Sequence, residues 1–331
     1  MRSRCLISLV LLVGVAARAS DGAAAQAKKL RLAFSALAYA NPPFWIAHEL
    51  KLFEKYGGFE TEIVYVGGSR PIQAMLGGSI DVSQVGGAAA VAAAAQGAEI
   101  AILGTVFSRL TFAIHASPQI KQINDLKGKT IAAGAIGGNS YFAALVFLKH
   151  LGWVANRDVG VMTAGGSPEV LAGMLQGKFQ AGVLTPPTST NAAKSGYREI
   201  FDLASLDFPF PVISVVSTRR FIETNPETIP NVLKATAEAI YLYKTRPDLT
   251  IPVVAKFMRV SKDDPALLQS QQTVGQLLNQ NLNPSIEGIR FVLDFLSEKQ
   301  PHLKNKNAAD FVDARFLHRL EEEGFFRRFA K

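Results

Sequence analysis

The side chains most often recruited for nucleophilic or metal chemistry are sparse here: five histidines and one cysteine in 331 residues. His48, His115, His150, His302 and His318 show no spacing such as H-E-x-x-H, which would set two imidazoles on one helix face for a metal. Ser140 and Ser167 lack the G-x-S-x-G elbow that exposes a serine nucleophile. Gly128-Lys129-Thr130 has the tail of a phosphate-cradling P-loop, but Ile123 stands where its first glycine belongs. Gly134, Gly137 and Gly138 do not make G-x-G-x-x-G either, although their turn is glycine-rich enough for close backbone approach to a ligand. The inventory points to binding rather than catalysis, with no metal and no cofactor.

Binding chemistry is suggested by a repeat. Gly67-Gly68-Ser69-Arg70-Pro71 leads to Met75-Leu76-Gly77-Gly78, and Gly165-Gly166-Ser167-Pro168 leads to Met174-Leu175-Gln176-Gly177. Each copy reads as strand, glycine turn, serine-capped short helix, glycine stop and strand. Two helix starts aimed at a shared space would form an anion clamp from free N–H groups and helix dipoles. The same pattern also suits two ordinary βαβ crossovers.

The elements that must position these turns follow a strand–helix alternation. Strands are expected at 30–34, 59–66, 81–85 and 100–107, with helices at 44–56 and 88–95. A second series runs through a strand at 130–133, a helix at 140–151, a strand at 160–163, a helix at 187–195 and a strand at 199–203. Such alternation predicts α/β lobes, each a mainly parallel sheet flanked by helices. The Asp207-Phe208-Pro209-Phe210-Pro211 segment cannot be helical, because each proline drives its predecessor to extended geometry. It reads as a crossing back to a strand at 212–217, and the other crossing is expected at 116–124. Helices are expected thereafter at 229–244, 251–258, 265–278, 286–297 and 312–323.

Residues 1–25 read as a secretory leader: a basic start through Arg4, an apolar run to Ala17, then small residues offering cleavage after Ala19 or Ala25. Its apolar run falls short of the roughly 20 residues of a membrane span. The single cysteine, Cys5, lies inside it, so the mature chain has neither disulfides nor thiolates. Leader removal lowers the net charge from +8 to +6. The basic residues are scattered rather than clustered among aromatics, which disfavours nucleic acid and suits an anionic ligand. Lobe 1 is expected to comprise 26–117 and 210–331, and lobe 2 to comprise 118–209.

Several stretches carry a family resemblance. Asn41-Pro42-Pro43-Phe44-Trp45-Ile46-Ala47, Lys51-Leu52-Phe53-Glu54-Lys55-Tyr56-Gly57, Asp125-Leu126-Lys127-Gly128-Lys129-Thr130-Ile131 and the closing Glu323-Gly324-Phe325 resemble periplasmic solute-binding proteins of the nitrate/sulfonate/taurine branch of ABC importers. The Met75-to-Val82 and Leu175-to-Ala181 segments do so as well. Gln180-Ala181, where an acidic residue is common, and Gly57-Gly58 depart from the pattern. The resemblance implies a two-lobed, type II periplasmic-binding-protein-like fold that closes on a solute and delivers it to a transmembrane permease. A monomer is expected. Related thiamine-pyrimidine-forming members carry a cysteine-rich motif that this mature chain lacks; a neutral heterocycle or a receptor-reporting role remains the alternative.

Ligands of open α/β sheets bind beyond the carboxyl ends of the strands. The expected site therefore takes Tyr39, Asn41, Ser69, Arg70, Gly86 and Gly87 from one wall, and Asn139, Ser140, Tyr141 and Thr185 from the other. Phe208 is expected at the mouth, and Tyr39, Phe107, Tyr141 and Phe208 are candidate sandwiching rings. These loops hold no carboxylate, which favours a small organic anion, a sulfonate or a carboxylate, over a cation.

Overall fold

The computed structural model describes residues 28–206 and 208–329; the expected leader at 1–25 lies outside them, as does Asp207. In chain order the elements begin with β1 (Lys28–Phe34), α1 (Pro43–Glu49), α2 (Leu52–Gly57), β2 (Phe59–Tyr65), α3 (Arg70–Leu76), β3 (Val82–Val85), α4 (Gly87–Ala95) and β4 (Ile100–Arg109). They continue with β5 (Ala113–Ala116), β6 (Thr130–Ala133), α5 (Asn139–His150), β7 (Gly160–Thr163), α6 (Ser167–Leu175), β8 (Ala181–Leu184), α7 (Thr188–Lys194) and β9 (Arg198–Asp202). The rest is β10 (Pro209–Thr218), α8 (Arg219–Thr224), α9 (Thr228–Thr245), α10 (Pro247–Met258), α11 (Pro265–Thr273), α12 (Ile286–Ser297) and α13 (Arg315–Glu322).

Two five-stranded sheets share one topology. Their orders are β2-β1-β3-β10-β4 and β7-β6-β8-β5-β9. In each, four strands run one way and a single strand, β10 or β5, is antiparallel to both its neighbours. The glycine–serine repeat falls at the matching place in both, between β2 and α3 and between β7 and α6. Its two copies are equivalent crossovers of two equivalent sheets.

The antiparallel strand of each sheet is supplied from across the junction. β5 follows β4 of the first sheet but pairs with β8 and β9, and β10 follows β9 but pairs with β3 and β4. The first crossing therefore lies at residues 110–112, not at 116–124, and 113–116 belongs with the second sheet. Sequence reading passes over β5 because four residues carry too little alternation to stand out, and their partners come later in the chain.

Other boundaries shift for local reasons. The helix expected at 44–56 breaks at Lys51, whose φ of 55° is left-handed, so α2 restarts with Leu52 and Phe53 turned into the core. The helix expected at 312–323 begins only at Arg315, because Val312 bridges Ile102 and Asp313 N–H donates to Ile102 O at 2.9 Å. The α8 helix, unread in the sequence, is capped by Thr218 Oγ1, which accepts from Phe221 N–H at 3.1 Å.

The larger core cluster spans both sheets, and its aromatic stack lies on the first. Trp45 of α1 stacks on Phe257 of α10 at 5.2 Å, with Phe34 of β1 edge-on to both. The α9 helix buries Ile229, Val232, Leu233, Ala237, Ile240 and Tyr243, a stripe of helical period that packs over α1 and α2. A smaller cluster, with Val170, Leu171, Met174 and Leu184, seats α6 on the second sheet. Such packing leaves the loops at the carboxyl ends of the strands on rigid supports.

Candidate functional site

The loops beyond the carboxyl ends of the two sheets meet at the starts of α4 and α5. Asn139, the first residue of α5, lies so near Gly86 that a Cβ there would sit 3.2 Å from Asn139 Oδ1. Asn139 Nδ2 donates to Val212 O in β10, tying the second sheet's helix to the first sheet. Gly87 is equally constrained: a Cβ would meet Pro211 O at 2.5 Å and Ser214 Oγ at 2.6 Å. The cap positions of both helix starts are glycines, Gly86 and Gly138, and among the described residues no side chain is bonded to them. Their first-turn N–H groups and positive dipole ends keep their capacity for an anion.

The repeat helices behave differently from expectation. Ser69 does occupy the N-cap position of α3, but its side chain makes no capping bond. Ser167 is already inside α6, one residue past the cap, and the Glu169 carboxylate accepts from Gly166 N–H at 2.8 Å. The start of α6 thus carries an anion of its own. A carboxylate therefore stands at this turn, so α3 and α6 do not form a matched pair of free helix starts, whereas α4 and α5 do.

The remaining expected residues are placed as follows. Tyr39 is 2% exposed and Asn41 fully buried, so neither presents open surface. Burial pushes the Tyr39 hydroxyl pKa up, with the Asp264 carboxylate adding to it, and the hydroxyl has no hydrogen-bond partner among the described residues. Asn41 Nδ2 donates to Ala36 O at 2.6 Å, and Asn41 Oδ1 accepts from Gln84 Nε2, which fixes the loop from within. Arg70 is exposed, and its Nε donates to Gly67 O at 3.1 Å across the turn. Ser140 Oγ accepts from Gly134 N–H at 2.9 Å and shapes the turn before α5. Tyr141 and Thr185 are half-buried. Phe208 packs edge-on against Phe291 of α12 at 4.6 Å, which takes it to that helix rather than to a cleft mouth. Phe107 is fully buried.

Gln84 is the organising residue that sequence reading missed. This fully buried side chain of β3 reaches Asn41 O at 3.0 Å and accepts from Phe44 N–H at 3.2 Å. Its only sequence signal is a polar residue inside a strand otherwise destined for burial. Two surface concavities, of about 300 and 340 Å³, lie elsewhere: one by Glu99, Arg219, His302 and Lys306, the other by Glu223, Arg315 and Arg319. Among the described residues no group of His, Cys, Asp and Glu is arranged to hold a metal ion, and no helix is long and apolar enough to cross a membrane.

Comparison with known proteins agrees with the two-sheet fold. The periplasmic aliphatic sulphonate binding protein SsuA of Escherichia coli superposes with a TM-score of 0.68 at 20% identity, over 86% of this chain and 97% of that one. The periplasmic nitrate-binding protein NrtA of Synechocystis PCC 6803 gives 0.68 at 14% identity, over 92% and 89%. These likenesses establish the periplasmic-binding-protein fold. A Brucella abortus protein, whose name claims no more than binding, is 27% identical over 222 residues, 66% of this chain and 67% of its own. The family model described as NMT1/THI5 like matches residues 42–249, most of both sheets and the crossings between them, and the chain belongs to that family.

Proposed function

We propose that this protein is the solute-binding component of an ABC-type importer, exported to the periplasm by its leader, which closes two lobes on a small organic anion and passes it unchanged to a permease. Each lobe is built on one sheet, and the site lies between them. Gly86, Gly87, Asn139 and Ser140 supply the helix starts, Ser69 and Arg70 the rim of one wall, and Tyr141 and Thr185 the other. Tyr39 and Asn41 act beneath the surface by holding the loop after β1.

The observation that carries this reading is the pair of helix starts at Gly86 and Gly138 that no side chain caps, brought together from different sheets. Uncapped first turns facing one space favour negative charge. One further observation favours a second reading, a neutral nitrogen heterocycle: Asn139 Oδ1 is a buried acceptor with no partner among the described residues, suited to a ligand N–H. Thermal-shift screening across sulfonates, carboxylates and heterocycles separates the two, since a ligand at a hundred times its Kd stabilises by about 2.7 kcal/mol. Anions are expected to raise the melting temperature. A response confined to the heterocycles would favour the second reading and remove the argument from the helix dipoles.

A further inference from the structure

The loops that follow the first parallel strand of each sheet, residues 35–41 after β1 and 134–138 after β6, occupy equivalent positions. Gly68 N–H of the first glycine turn donates to Ser35 O at 3.2 Å, and a Cβ on Gly134 would lie 3.0 Å from Gly165 O of the second. Neither loop contains Asp, Glu, Lys, Arg or His. Each presents one large aliphatic side chain to solvent: Leu37 is 43% exposed and Ile136 is 75% exposed, the highest value among the exposed large hydrophobics of the described residues. Leu37 sits in a loop whose other side chains are tied down, Asn41 through Ala36 and Tyr39 by burial. Ile136 precedes Gly137, whose φ of 78° belongs to the left-handed region. A lone exposed aliphatic residue is ordinary. Two at matching places, each the third residue after the equivalent strand of its sheet and in a loop without charge, call for a common role.

We propose that Leu37 and Ile136 form an apolar clasp that selects anions carrying an alkyl or aryl body over bare inorganic oxyanions. The inference rests on the anion-binding reading above and adds to it the residues that read the body of the ligand. The helix starts at Gly86 and Gly138 take the charged head, and closure brings the two side chains onto the hydrocarbon behind it. Burial of that hydrocarbon is what distinguishes a long anion from a short one.

Calorimetric titration of the mature protein with methanesulfonate and with hexanesulfonate tests this. Each methylene buried raises affinity about fourfold, so hexanesulfonate is expected to bind at least about tenfold tighter. Leu37→Ser and Ile136→Ser should each narrow that ratio to about threefold or less. Both side chains are exposed, and an unchanged melting temperature of the unliganded variants verifies that the fold is intact. Equal affinity for the two probes, or a ratio that neither variant alters, overturns the clasp and leaves the anion-binding reading standing. Failure of both sulfonates to bind the wild-type protein overturns that reading, and the clasp with it.

Discussion

Replacing Gln84 by leucine removes the buried amide that ties the loop after β1 to β3. Three hydrogen bonds end on that side chain: Nε2 to Asn41 O at 3.0 Å, Nε2 to Asn41 Oδ1, and Phe44 N–H to Oε1 at 3.2 Å. Leucine nearly preserves volume, so packing loss is small. The net value of each bond is about 1 kcal/mol, and a buried group left unpaired costs about 1–3 kcal/mol. Phe44 N–H is in the first turn of α1, where no other side chain caps the helix. Asn41 Oδ1 is left without its donor. Three groups lose their partner, Asn41 O, Asn41 Oδ1 and Phe44 N–H, so the expected destabilisation is about 3–5 kcal/mol, from about 1 kcal/mol for each net bond upward where a group stays buried and unpaired.

Urea denaturation followed by circular dichroism measures it, with an unchanged slope confirming that the two-state comparison holds. A double-mutant cycle with Asn41→Ala should then give a coupling of about 1–2 kcal/mol, because the two residues share their bonds. A loss below about 1 kcal/mol for Gln84→Leu, or additivity in the cycle, would refute the claim that Gln84 organises the loop.

Three other outcomes are expected. Gly87→Ala places a methyl 2.5 Å from Pro211 O, and calorimetry or denaturation should report a loss of about 1–3 kcal/mol in stability. Arg70→Ala should lower affinity for a bound sulfonate about tenfold by titration calorimetry, the loss of one charge-assisted bond, while the unfolding midpoint stays in place; unchanged affinity would leave the helix starts as the only positive field. The Arg315 guanidinium, bonded at 2.8 and 2.7 Å, holds the Asp313 carboxyl below its usual range against the effect of burial. A depressed folded-state value means stability that is present above the unfolded pKa of about 3.9 and is lost as pH falls through the lower folded value. Because Arg315 is largely exposed, Asp313→Asn should cost only about 1 kcal/mol at neutral pH, a difference that denaturation curves should show vanishing in strong acid.

Much of the fold was legible because its signals are local. The glycine–serine repeat marks the same crossover in both sheets, and most strands and helices begin and end near their turn residues. The site was less legible because direction is set by distant packing. Asn41 has the residue type and loop position of a ligand contact, yet its amide is claimed by Gln84, far along the chain. Tyr39 is drawn inward to 2% exposure, which nothing in its own loop announces. The capping of α6 was readable, since Glu169 stands three residues after Gly166 in a capping-box spacing. Attention to the serine alone concealed it.

The exchange of antiparallel strands bears on how such a protein can move. Had each crossing been a free loop between complete sheets, bending could spread over many residues. Here the crossings leave β4 and enter β5, then leave β9 and enter β10, and all four strands are held in ladders. Among the described residues only 110–112, 203–206 and Phe208 lie between ladders, so rotation of one sheet against the other has few backbone angles to use. Aromatic packing restricts it further. Phe142 of α5 touches Phe210 of β10 at 5.8 Å and Phe295 of α12 at 5.4 Å, a seam between the two units beside the crossings. Opening that parted this seam would expose buried rings; opening that pivots on it separates the loops at the far side instead. The second motion would widen the space between the strand ends, as the proposed binding cycle requires, and would keep the rings of the seam buried.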